Sequence, residues 1–448
     1  MADINHILFW AKETLSSLQY DIQGEPKIVR EVPWSCVYSF NTSKGRVFLK
    51  YMDPEFSLEP KLLKYLHDNV TQNVTEVIAS DGQLSCFLMK DAGEPLRPIL
   101  KAEFNQELFA HALTLCADIQ LTCIPHVDRL IALGINDWRL DKIPILYKEF
   151  IDKKELLKAD GLTESEIEQL HHLTSTMDYL CDKLKAYGIP ETIEHCDFHD
   201  NNILIQDAVM TINDWGDASI SHPFFSCVSA LESAKRNHNL QDDAYMKILC
   251  TYLDKWSSYG SKQDLLTAFT LARQIRFFMF ALSFSRIKSC PEIDKFPEFN
   301  GYMAEALRSF ITSGYIIPIE PSHPELPAVI AYSIGNPTDE RVQKILDGYR
   351  GQNNPLIGYF VGGNLAGVIG LEISQDSATI QHISVLPNYQ SNGIGKQLVH
   401  HVMKQFSPKT LSAETDADAV GFYRAMGFEC SASQGKFGTR YICVRINC

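Results

Sequence analysis

The chain has 448 residues, enough for two or three domains. Its 45% hydrophobic and 21% charged content is ordinary for a globular protein with a buried core. The net charge of −14 argues against a nucleic-acid partner, because nucleic-acid binders are usually basic. Most of the excess acid lies before residue 312, where it would attract a cationic small molecule. Many cytosolic proteins are acidic without such a ligand, so charge alone leaves both readings open.

Localisation signals and cysteines indicate a cytoplasmic protein. The first residues contain no basic segment and no small-residue cleavage site, so we expect no secretory signal. The twelve cysteines show no Cys-x-x-Cys pair and no zinc-type spacing, which favours free, mostly buried thiols. The most apolar stretch, 268–286, contains Arg273 and Arg276, which favours a buried helix over a membrane span. We therefore expect no membrane contact; the oligomeric state is not indicated.

The first elements in chain order alternate between helix and strand. The spacing predicts a helix from Ile4 to Leu18, followed by strands in IVREVPWSCVYSFNTSKGRVFLKYMD with a hairpin turn at 43–45. EFSLEPKLLKYLHDN has helical spacing, and LSCFLMKD (84–91) resembles a strand. Residues 100–190 are predicted to be mainly helical. Short strands follow, and helices return over 225–312.

A proline-rich segment separates this pattern from a second one. Four prolines fall within SGYIIPIEPSHPELP (313–327), which indicates a domain boundary near residue 312. We therefore predict one domain over 1–312 and another over 313–448. The second contains a helix (DERVQKILDGYR), strands (PLIGYFV, NLAGVIGLEI, ATIQHISVLP) and a helix (GIGKQLVHHVMKQF). Such alternation in a short segment is typical of an α/β module.

Acidic and amide side chains cluster around residues 195–217, HCDFHDNNILIQDAVMTINDWGD. Asp197 and Asn202 precede the strand ILIQ, and Asp214 follows the strand VMTIN, so a tight turn would bring all three to one edge. Hard oxygen ligands of this kind suit Mg²⁺, and a further acid can accept a proton from a substrate hydroxyl. Phosphoryl transfer also needs a lysine on the nucleotide phosphates. Lys50, at the end of RVFLK, is the candidate, with Glu59 as its ion-pair partner.

H-C-D-F-H-D-N-N-I-L with I-N-D-W-G-D resembles the signature of the aminoglycoside phosphotransferase and choline kinase family, over residues 20–310. The resemblance implies an α+β, protein-kinase-like, two-lobed domain that uses ATP or GTP. It implies that Asp197 is the catalytic base and that Asn202 and Asp214 hold Mg²⁺. Lys50 would contact the α- and β-phosphates.

Other positions in the same loop extend the resemblance or depart from it. By the resemblance, His195 and His199 would orient the catalytic loop. Cys196 stands where the family usually has glycine, and Asp200 and Asn201 replace the more usual Pro-Gly. The loop is therefore expected to be slightly reshaped, with no chemical group missing.

A second motif lies in VLPNYQSNGIGKQLVHHVMKQF (385–406), where an apolar strand runs into a glycine-containing turn and then a helix. Free N–H groups at a helix N-terminus bind pyrophosphate. Q-S-N-G-I-G resembles the acetyl-CoA motif of the GNAT superfamily of N-acetyltransferases, an α/β fold, over 315–448. The resemblance places backbone near Val385 on the pantetheine arm. It assigns the CoA pyrophosphate to the loop residues Gln390, Gly393, Ile394, Gly395 and Lys396.

The GNAT resemblance also suggests acid–base groups. AETDADAVGFYRAMGF fits the superfamily's last strand and helix, and Tyr423 would protonate the departing CoA thiolate. The alternative for Tyr423 is core packing beside Phe422 and Met426. Glu372 and His382, on candidate central strands, could take the ammonium proton, or could be purely structural.

Three functions remain open on these observations. The first is a bifunctional enzyme that phosphorylates a hydroxyl and acetylates an amine, with an aminoglycoside-like or other aminated antibiotic as acceptor and antibiotic resistance as its role. The second is a metabolic kinase for a sugar or amino alcohol, with an acetyltransferase domain of separate or sensory role. The third is a binding protein that senses ATP or acetyl-CoA without turnover. The intact set of Asp197, Asn202 and Asp214 argues against the third for the first domain.

Overall fold

The computed structural model describes residues 4–290, 293–351, 354–435 and 438–446. The chain divides into two compact units, Met1–Phe310 and Ile311–Cys448. Both units contain helices and strands. The helices of the first unit are α1 Ile4–Ser17, α2 Glu59–Asn69, α3 Leu96–Ala102, α4 Gln106–Cys123, α5 Val127–Leu133, α6 Ile143–Ile151, α7 Lys154–Ala159, α8 Glu164–His172, α9 Thr174–Lys185, α10 Phe224–His238, α11 Asp242–Asp254, α12 Lys262–Lys288 and α13 Tyr302–Thr312, which crosses the division.

The strands of the first unit form three sheets. They are β1 Lys27–Val32, β2 Ser35–Thr42, β3 Gly45–Met52, β4 Val77–Asp81, β5 Cys86–Lys90, β6 Glu94–Pro95, β7 Asn136–Asp137, β8 Thr192–Glu194, β9 Ile203–Gln206, β10 Val209–Ile212 and β11 Ser219–Ser221. The five-stranded sheet is antiparallel in the order β1-β2-β3-β5-β4, and the smaller sheets have the orders β10-β9-β6 and β7-β11-β8.

The predicted N-terminal helix and hairpin are confirmed. Helix α1 buries Ile7, Ala11 and Leu15 against the five-stranded sheet, because these residues recur at helical spacing on one face. Strands β2 and β3 pair around the predicted turn, with Thr42 opposite Gly45. This sheet carries Lys50 on β3.

The apolar stretch 268–286 lies in α12, as predicted for a buried helix. By length and composition, α12 and the segment Gln106–Leu133 could each cross a membrane, but 72% of the most apolar window of α12 is buried inside the protein. Arg273 pairs with Glu232, with Nε 3.0 Å from Oε1. Arg276 is 7% exposed and bonds to neighbouring elements rather than to solvent. Burial in the unit therefore accounts for the apolar character of α12.

The second unit is built on one seven-stranded sheet in the order β12-β13-β14-β15-β16-β18-β17. Pairing is antiparallel except between β15 and β16, which are parallel. Its elements are β12 Gly314–Ile319, α14 Leu326–Ile330, α15 Asp339–Gly348, β13 Leu356–Val361, β14 Asn364–Ile373, β15 Ser377–Val385, α16 Ile394–Phe406, β16 Thr410–Thr415, α17 Val420–Ala425, β17 Glu429–Gly435 and β18 Gly438–Ile446.

The structure adds one feature to the sequence predictions for this unit and corrects another. The proline-rich segment 313–327 forms strand β12 and the start of α14. Pro318 is tolerated because β12 is an edge strand, and Pro327 because it lies in the first turn of α14. The helix ending in YRAMGF is also not the last element, since the β17–β18 hairpin follows and inserts β18 beside β16.

The expectation of free cysteines throughout is wrong at one place. Cys430 and Cys443 stand opposite each other in β17 and β18, with Cα atoms 4.0 Å apart, and they form a disulfide. The register of the β17–β18 hairpin brings the two sulfurs together. The separation of 13 residues along the chain did not predict this pairing. Cys448 lies outside the described residues. The other nine cysteines are free, and most are buried.

Candidate active sites

Lys50, Glu59 and Asp214 meet in the first unit. The ammonium of Lys50, near the end of β3, lies 2.6 Å from Glu59 Oε2 on α2 and 2.5 Å from Asp214 Oδ1. Burial alone would lower the pKa of Lys50, but Asp214 and Glu59 outweigh it and raise the pKa. Burial raises the pKa of Glu59 against the opposing effect of Lys50. The predicted ion pair therefore holds a charged lysine at the loop that follows β10.

Asp197 and Asn202 are joined by the loop between β8 and β9. Asn202 Nδ2 donates to the Asp197 carbonyl at 2.9 Å and to Asp197 Oδ2 at 3.2 Å. His199 Nε2 lies 3.4 Å from the same carboxylate oxygen. Burial would raise the pKa of Asp197, but His199, His195 and Arg276 outweigh it and lower the pKa to about 2. The Asp197 carboxylate is therefore ionised at neutral pH, and its side chain is half exposed.

His195 connects the two halves of this site. Its Nε2 lies 2.9 Å from the carbonyl oxygen of Asn213, the residue before Asp214, and its ring packs 4.7 Å from that of Trp215. Its backbone N–H donates to Ser226 Oγ. Burial lowers the pKa of His195. The histidine thus contacts the strand end that carries Asp214, while its role in orienting the catalytic loop stays a prediction.

The donor set fits a magnesium ion. In the part of the chain that the structure describes, no three His, Cys, Asp or Glu side chains are arranged to hold a metal. The predicted ligands are instead one amide and one carboxylate. Asn202 commits Nδ2 to Asp197, which leaves Oδ1 as an acceptor, and Asp214 engages Lys50 through Oδ1, which leaves Oδ2. Two hard oxygens, completed by phosphate oxygens and water, suit Mg²⁺.

The departure at Cys196 has a conformational consequence. Its φ of 66° lies in the left-handed region, where glycine is favoured and other L-residues are strained. Its side chain is buried, with Sγ 3.4 Å from Ser219 Oγ, and its carbonyl accepts a 2.6 Å hydrogen bond from Arg276 Nη2. The loop thus keeps the conformation that a glycine would favour. Asp214, at φ 65°, is also left-handed.

Asp200, which replaces the family's more usual proline, is bonded to two distant side chains that the sequence did not reveal. Asp200 is 1% exposed and accepts hydrogen bonds from Arg97 Nε at 2.8 Å and His238 Nε2 at 2.6 Å. Burial would raise the pKa of Asp200, but Arg97 and His238 outweigh it and lower the pKa. Arg97 lies on α3 and His238 at the end of α10. Arg97 and His238 therefore hold the loop that contains Asp197 and Asn202. The aspartate in place of the more usual Pro-Gly was the only sign in the sequence that position 200 has such partners.

In the second unit, the loop before α16 has a left-handed glycine at the start of the helix. Gly393 is the N-cap of α16 at φ 75°, and an added Cβ there would meet nothing within 4 Å. A Cβ on Gly395 would lie 3.2 Å from the Phe422 ring, so this glycine allows close packing of α17. Gln390 Nε2 donates to the Val385 carbonyl at 3.0 Å. Ile394 is buried in the core and Lys396 lies in the first turn of α16.

Strands β15 and β16 separate beside this loop. They pair in parallel from Ser377–Thr410 to Ile380–Ala413, and β15 continues to Val385 without β16 as a partner in the described residues. Among the described residues, 381–385 of β15 thereby have no paired strand on that side. This gap is where an extended arm could add to the sheet by main-chain hydrogen bonds.

Tyr423 and His382 have different surroundings. Tyr423 is 4% exposed and packs against the rings of Phe422 and Phe428. Burial raises its pKa to about 12, so the phenol stays protonated at neutral pH. The Nδ1 atom of His382 lies 2.5 Å from the Tyr349 hydroxyl, and burial lowers the pKa of His382.

The other base candidate is less well placed. Glu372 is exposed on β14 and accepts a hydrogen bond from Gln381 Nε2 at 2.8 Å. His382, by contrast, is half-buried. The structure therefore separates two residues that the sequence left equivalent.

Two protein-family models match the chain. The model of the phosphotransferase enzyme family matches residues 34–259, half of the chain. The chain belongs to this phosphotransferase enzyme family. The model of the GNAT acetyltransferase domain matches residues 335–441. The chain is therefore a phosphotransferase fused to an acetyltransferase domain, which confirms the predicted fold class and enzyme class.

Solved structures similar to parts of the chain include an ethanolamine kinase, an aminoglycoside phosphotransferase and an acetyltransferase. An ethanolamine kinase from Plasmodium vivax is 11% identical, with 64% of this chain and 82% of that chain covered and a TM-score of 0.46. A GDP complex of an aminoglycoside 2'-phosphotransferase IIIa mutant is 17% identical, over 68% and 96%, with a TM-score of 0.44. A GNAT acetyltransferase from Elizabethkingia anophelis with acetyl-CoA bound is 18% identical, over 30% and 98%, with a TM-score of 0.25. No curated protein matches the chain.

Proposed function

We propose that the phosphotransferase unit transfers the γ-phosphoryl group of ATP or GTP to a hydroxyl of a small aminated molecule, and that the acetyltransferase unit acetylates an amine from acetyl-CoA. The observation that carries the phosphotransfer is the contact of Lys50 with both Glu59 and Asp214, beside the Asp197–Asn202 loop. The cytoplasm, where both donors are abundant, is the compartment we propose.

In this proposal each side chain of the phosphotransferase unit has one task. Lys50 binds the α- and β-phosphates while Glu59 keeps it in place. Asp197 accepts a hydrogen bond from the acceptor hydroxyl and takes its proton as that oxygen attacks the γ-phosphorus and the nucleoside diphosphate leaves. Asn202 and Asp214 would hold Mg²⁺, which supplies charge neutralisation at the phosphates when it is bound.

An aminated acceptor is favoured by the charge around Asp197. The Asp197, Asp214 and Asp217 side chains keep 51%, 31% and 20% of their surface exposed. Burial, together with Asp197 and Asp214 and against the effect of Arg286, raises the pKa of Asp217 to about 7. A cation would relieve the part of this shift that comes from the neighbouring carboxylates. An aminoglycoside-like or otherwise aminated antibiotic has the required hydroxyl and ammonium groups, and resistance would be the role.

For the acetyltransferase unit we assign the proton transfers to His382 and Tyr423. Neutral His382 takes the proton of the attacking ammonium, and Tyr349 fixes the imidazole through Nδ1. The amine nitrogen bonds to the acetyl carbon, the carbon–sulfur bond breaks, and Tyr423 protonates the thiolate. The loop from Gln390 to Lys396 would bind the CoA pyrophosphate, because Gly393 opens the helix N-terminus to it.

Mass spectrometry of a mixed acceptor panel tests the proposal. The protein is incubated with Mg-ATP, Mg-GTP or acetyl-CoA, and with aminoglycosides, other aminated antibiotics, sugars and amino alcohols. A mass gain of about 80 marks phosphoryl transfer and about 42 marks acetyl transfer. Modification of an aminated antibiotic supports the proposal. Modification of a sugar or amino alcohol alone would replace it with a metabolic kinase, and donor binding without any product would favour a sensor.

A further inference from the structure

Arg30 lies on the edge strand β1 in the same cross-strand row as Lys50. Arg30 pairs with Val37 of β2, and Val37 pairs with Lys50 of β3. Directly paired residues of antiparallel strands project their side chains to the same face of the sheet. Because neighbouring strands are about 4.8 Å apart, the two cations share one face at a spacing of about 10 Å between β1 and β3.

The face that carries Arg30 and Lys50 is the one opposite helix α1. Tyr38 and Leu49 pack in the core cluster under α1, and each stands directly beside a residue of the Arg30–Lys50 row. Consecutive residues of a strand project to opposite faces. Arg30 therefore lies on the side of the sheet from which Lys50 reaches Asp214.

An irregularity in β1 gives Arg30 this direction. Ile28 pairs with Tyr38 and Arg30 with Val37, so the register skips Val29. With regular pairing, Arg30 would project to the same face as Ile28, which is the α1 side. An extra residue of this kind turns the side chains that follow it to the other face, and such bulges are common next to active sites.

The guanidinium of Arg30 is available to a ligand. Arg30 is exposed, and among the residues that the structure describes no hydrogen bond or ion pair occupies it. Its charge nevertheless acts at the site. Burial would raise the pKa of Asp214, but Lys50 outweighs burial and lowers the pKa, and Arg30 adds a smaller contribution in the same direction. Arg30 therefore stands close enough to Asp214 for its positive charge to act there.

The other cations of this site are matched by protein groups. Lys50 contacts two carboxylates, Arg286 pairs with two more, and Arg276 donates to the catalytic loop. A magnesium–nucleotide complex is still anionic, so its binding beside these carboxylates costs electrostatic free energy unless another positive charge approaches. Arg30 is placed to supply that charge.

We propose that Arg30 is a second cation of the nucleotide site, and that its guanidinium donates hydrogen bonds to phosphate oxygens of the nucleotide that Lys50 also binds. This role rests on the proposed use of ATP or GTP by the unit. A planar guanidinium can donate two parallel hydrogen bonds to one phosphate group. A charged residue on an edge strand can also act only against pairing with another sheet, a role that leaves nucleotide affinity unaffected.

Calorimetry on the full chain, with Mg-ATP or Mg-GTP as the ligand, measures the contribution of Arg30 without need for turnover. Arg30→Gln removes the charge and should weaken nucleotide binding about tenfold or more, the effect of losing a charge-assisted hydrogen bond. Arg30→Lys keeps the charge and should recover most of the affinity. Unchanged affinity in Arg30→Gln would overturn the proposal.

Lys12→Gln is the matched control. Lys12 lies on α1, on the other side of the sheet, and pairs with Glu25, so this variant removes the same charge from the same unit. Its nucleotide affinity should be unchanged, and a loss equal to that of Arg30→Gln would overturn the contact. Adenosine, which has no phosphate, should bind Arg30→Gln and the wild type equally. An equal loss of adenosine affinity would place Arg30 at the base or ribose instead.

Chemical protection tests the contact in the unaltered chain. Phenylglyoxal modifies exposed arginines, and mass spectrometry of peptides reports the extent at each position. Mg-ATP should slow the modification of Arg30 several-fold, whereas adenosine should not. Arg350, an exposed arginine of the acetyltransferase unit, should react equally with and without nucleotide. Protection of both arginines, or of neither, would contradict the proposal.

The calorimetry also separates this inference from the proposed function. Nucleotide binding that Arg30→Gln leaves unchanged overturns the role of Arg30 and leaves the proposed phosphotransfer standing. A wild-type chain that binds neither Mg-ATP nor Mg-GTP overturns both.

Discussion

In the phosphotransferase unit, charged side chains hold one another at the candidate site, whereas in the acetyltransferase unit the backbone provides most of it. Lys50 contacts two acids, and Asp197 contacts an amide and an imidazole. In the other unit, Gly393 shapes the helix N-terminus and the separated strands expose main-chain groups. The first site should therefore fail when one charged group is removed, and the second when the space or conformation of the backbone is altered.

The largest effect is expected for Asp197→Ala. Removal of the carboxylate that accepts the hydroxyl proton should lower kcat for phosphoryl transfer by about 10²–10⁴-fold. Nucleotide affinity should change little, because Asp197 acts on the acceptor. Steady-state kinetics with the acceptor from the panel, with calorimetry of Mg-ATP, measures both quantities.

Asp214→Ala provides the contrast within the same site. It removes a proposed metal ligand, so Mg-nucleotide affinity should fall together with kcat. Acetylation should be unaffected in both variants if the units act independently. Equal loss of nucleotide binding in the Asp197 variant would mean that its assignment is wrong.

Gly393→Trp tests the backbone site. An indole at this position would fill the open space in front of the α16 N-terminus, so acetyl-CoA binding should fall by about 100-fold or more, a loss of roughly 3 kcal/mol. Gly393→Asn is the matched control, because asparagine tolerates positive φ better than other residues with a side chain. The Asn variant should retain most of the affinity. Acetylation that survives the Trp variant would contradict the position of the cofactor loop.

His382→Gln should lower acetylation by about 10- to 100-fold, at the lower end of general-base effects because water can also accept the proton. In the wild-type protein the rate should fall as pH decreases through the His382 pKa, which burial holds below its usual value. The variant should lose this acidic limb of the kcat/KM profile. Tyr349→Phe, which keeps the ring and removes the hydroxyl, should shift the limb without abolishing it; an unchanged profile in both variants would remove His382 from the mechanism.

His199→Gln should have a modest and pH-dependent effect on stability. Asp197 raises the pKa of His199 above its unfolded value, against the effect of burial. The contribution of a charged His199 is thus fully present below its unfolded pKa and is lost as pH rises through the folded pKa. The variant should be less stable than wild type by about 1 kcal/mol or less near pH 6, since Asp197 is half exposed. Denaturant unfolding at pH 6 and pH 9 should show this difference shrink at the higher pH.

Cys196→Gly should have the smallest effect. Glycine relieves the positive φ, while loss of the buried thiol removes packing, so the free energy of unfolding should change by no more than about 1 kcal/mol. Phosphoryl transfer should persist. Cys196→Val, with a β-branched side chain at φ 66°, should be clearly less stable. Equal unfolding midpoints for the Gly and Val variants would mean that backbone strain at this position is unimportant.

The sequence by itself determined the order of the helices and strands and the two motifs that identify the domains, one around Asp197 and Asp214 and the other before α16. The spacing of apolar residues in α1 and α12, the turn between β2 and β3, and the loop around Asp197 are local patterns, and the structure has them at the expected places. Local patterns are readable because each depends on residues a few positions apart.

Only the tertiary structure decided which distant groups support those motifs. Arg97 and His238 reach Asp200 across 103 and 38 residues, and Arg276 reaches the Cys196 carbonyl across 80. The hydroxyl of Tyr349 beside His382 and the pairing of Cys430 with Cys443 likewise arise from packing between separate elements. No periodicity encodes such contacts, because they depend on how helices and strands are placed in space rather than on spacing along the chain.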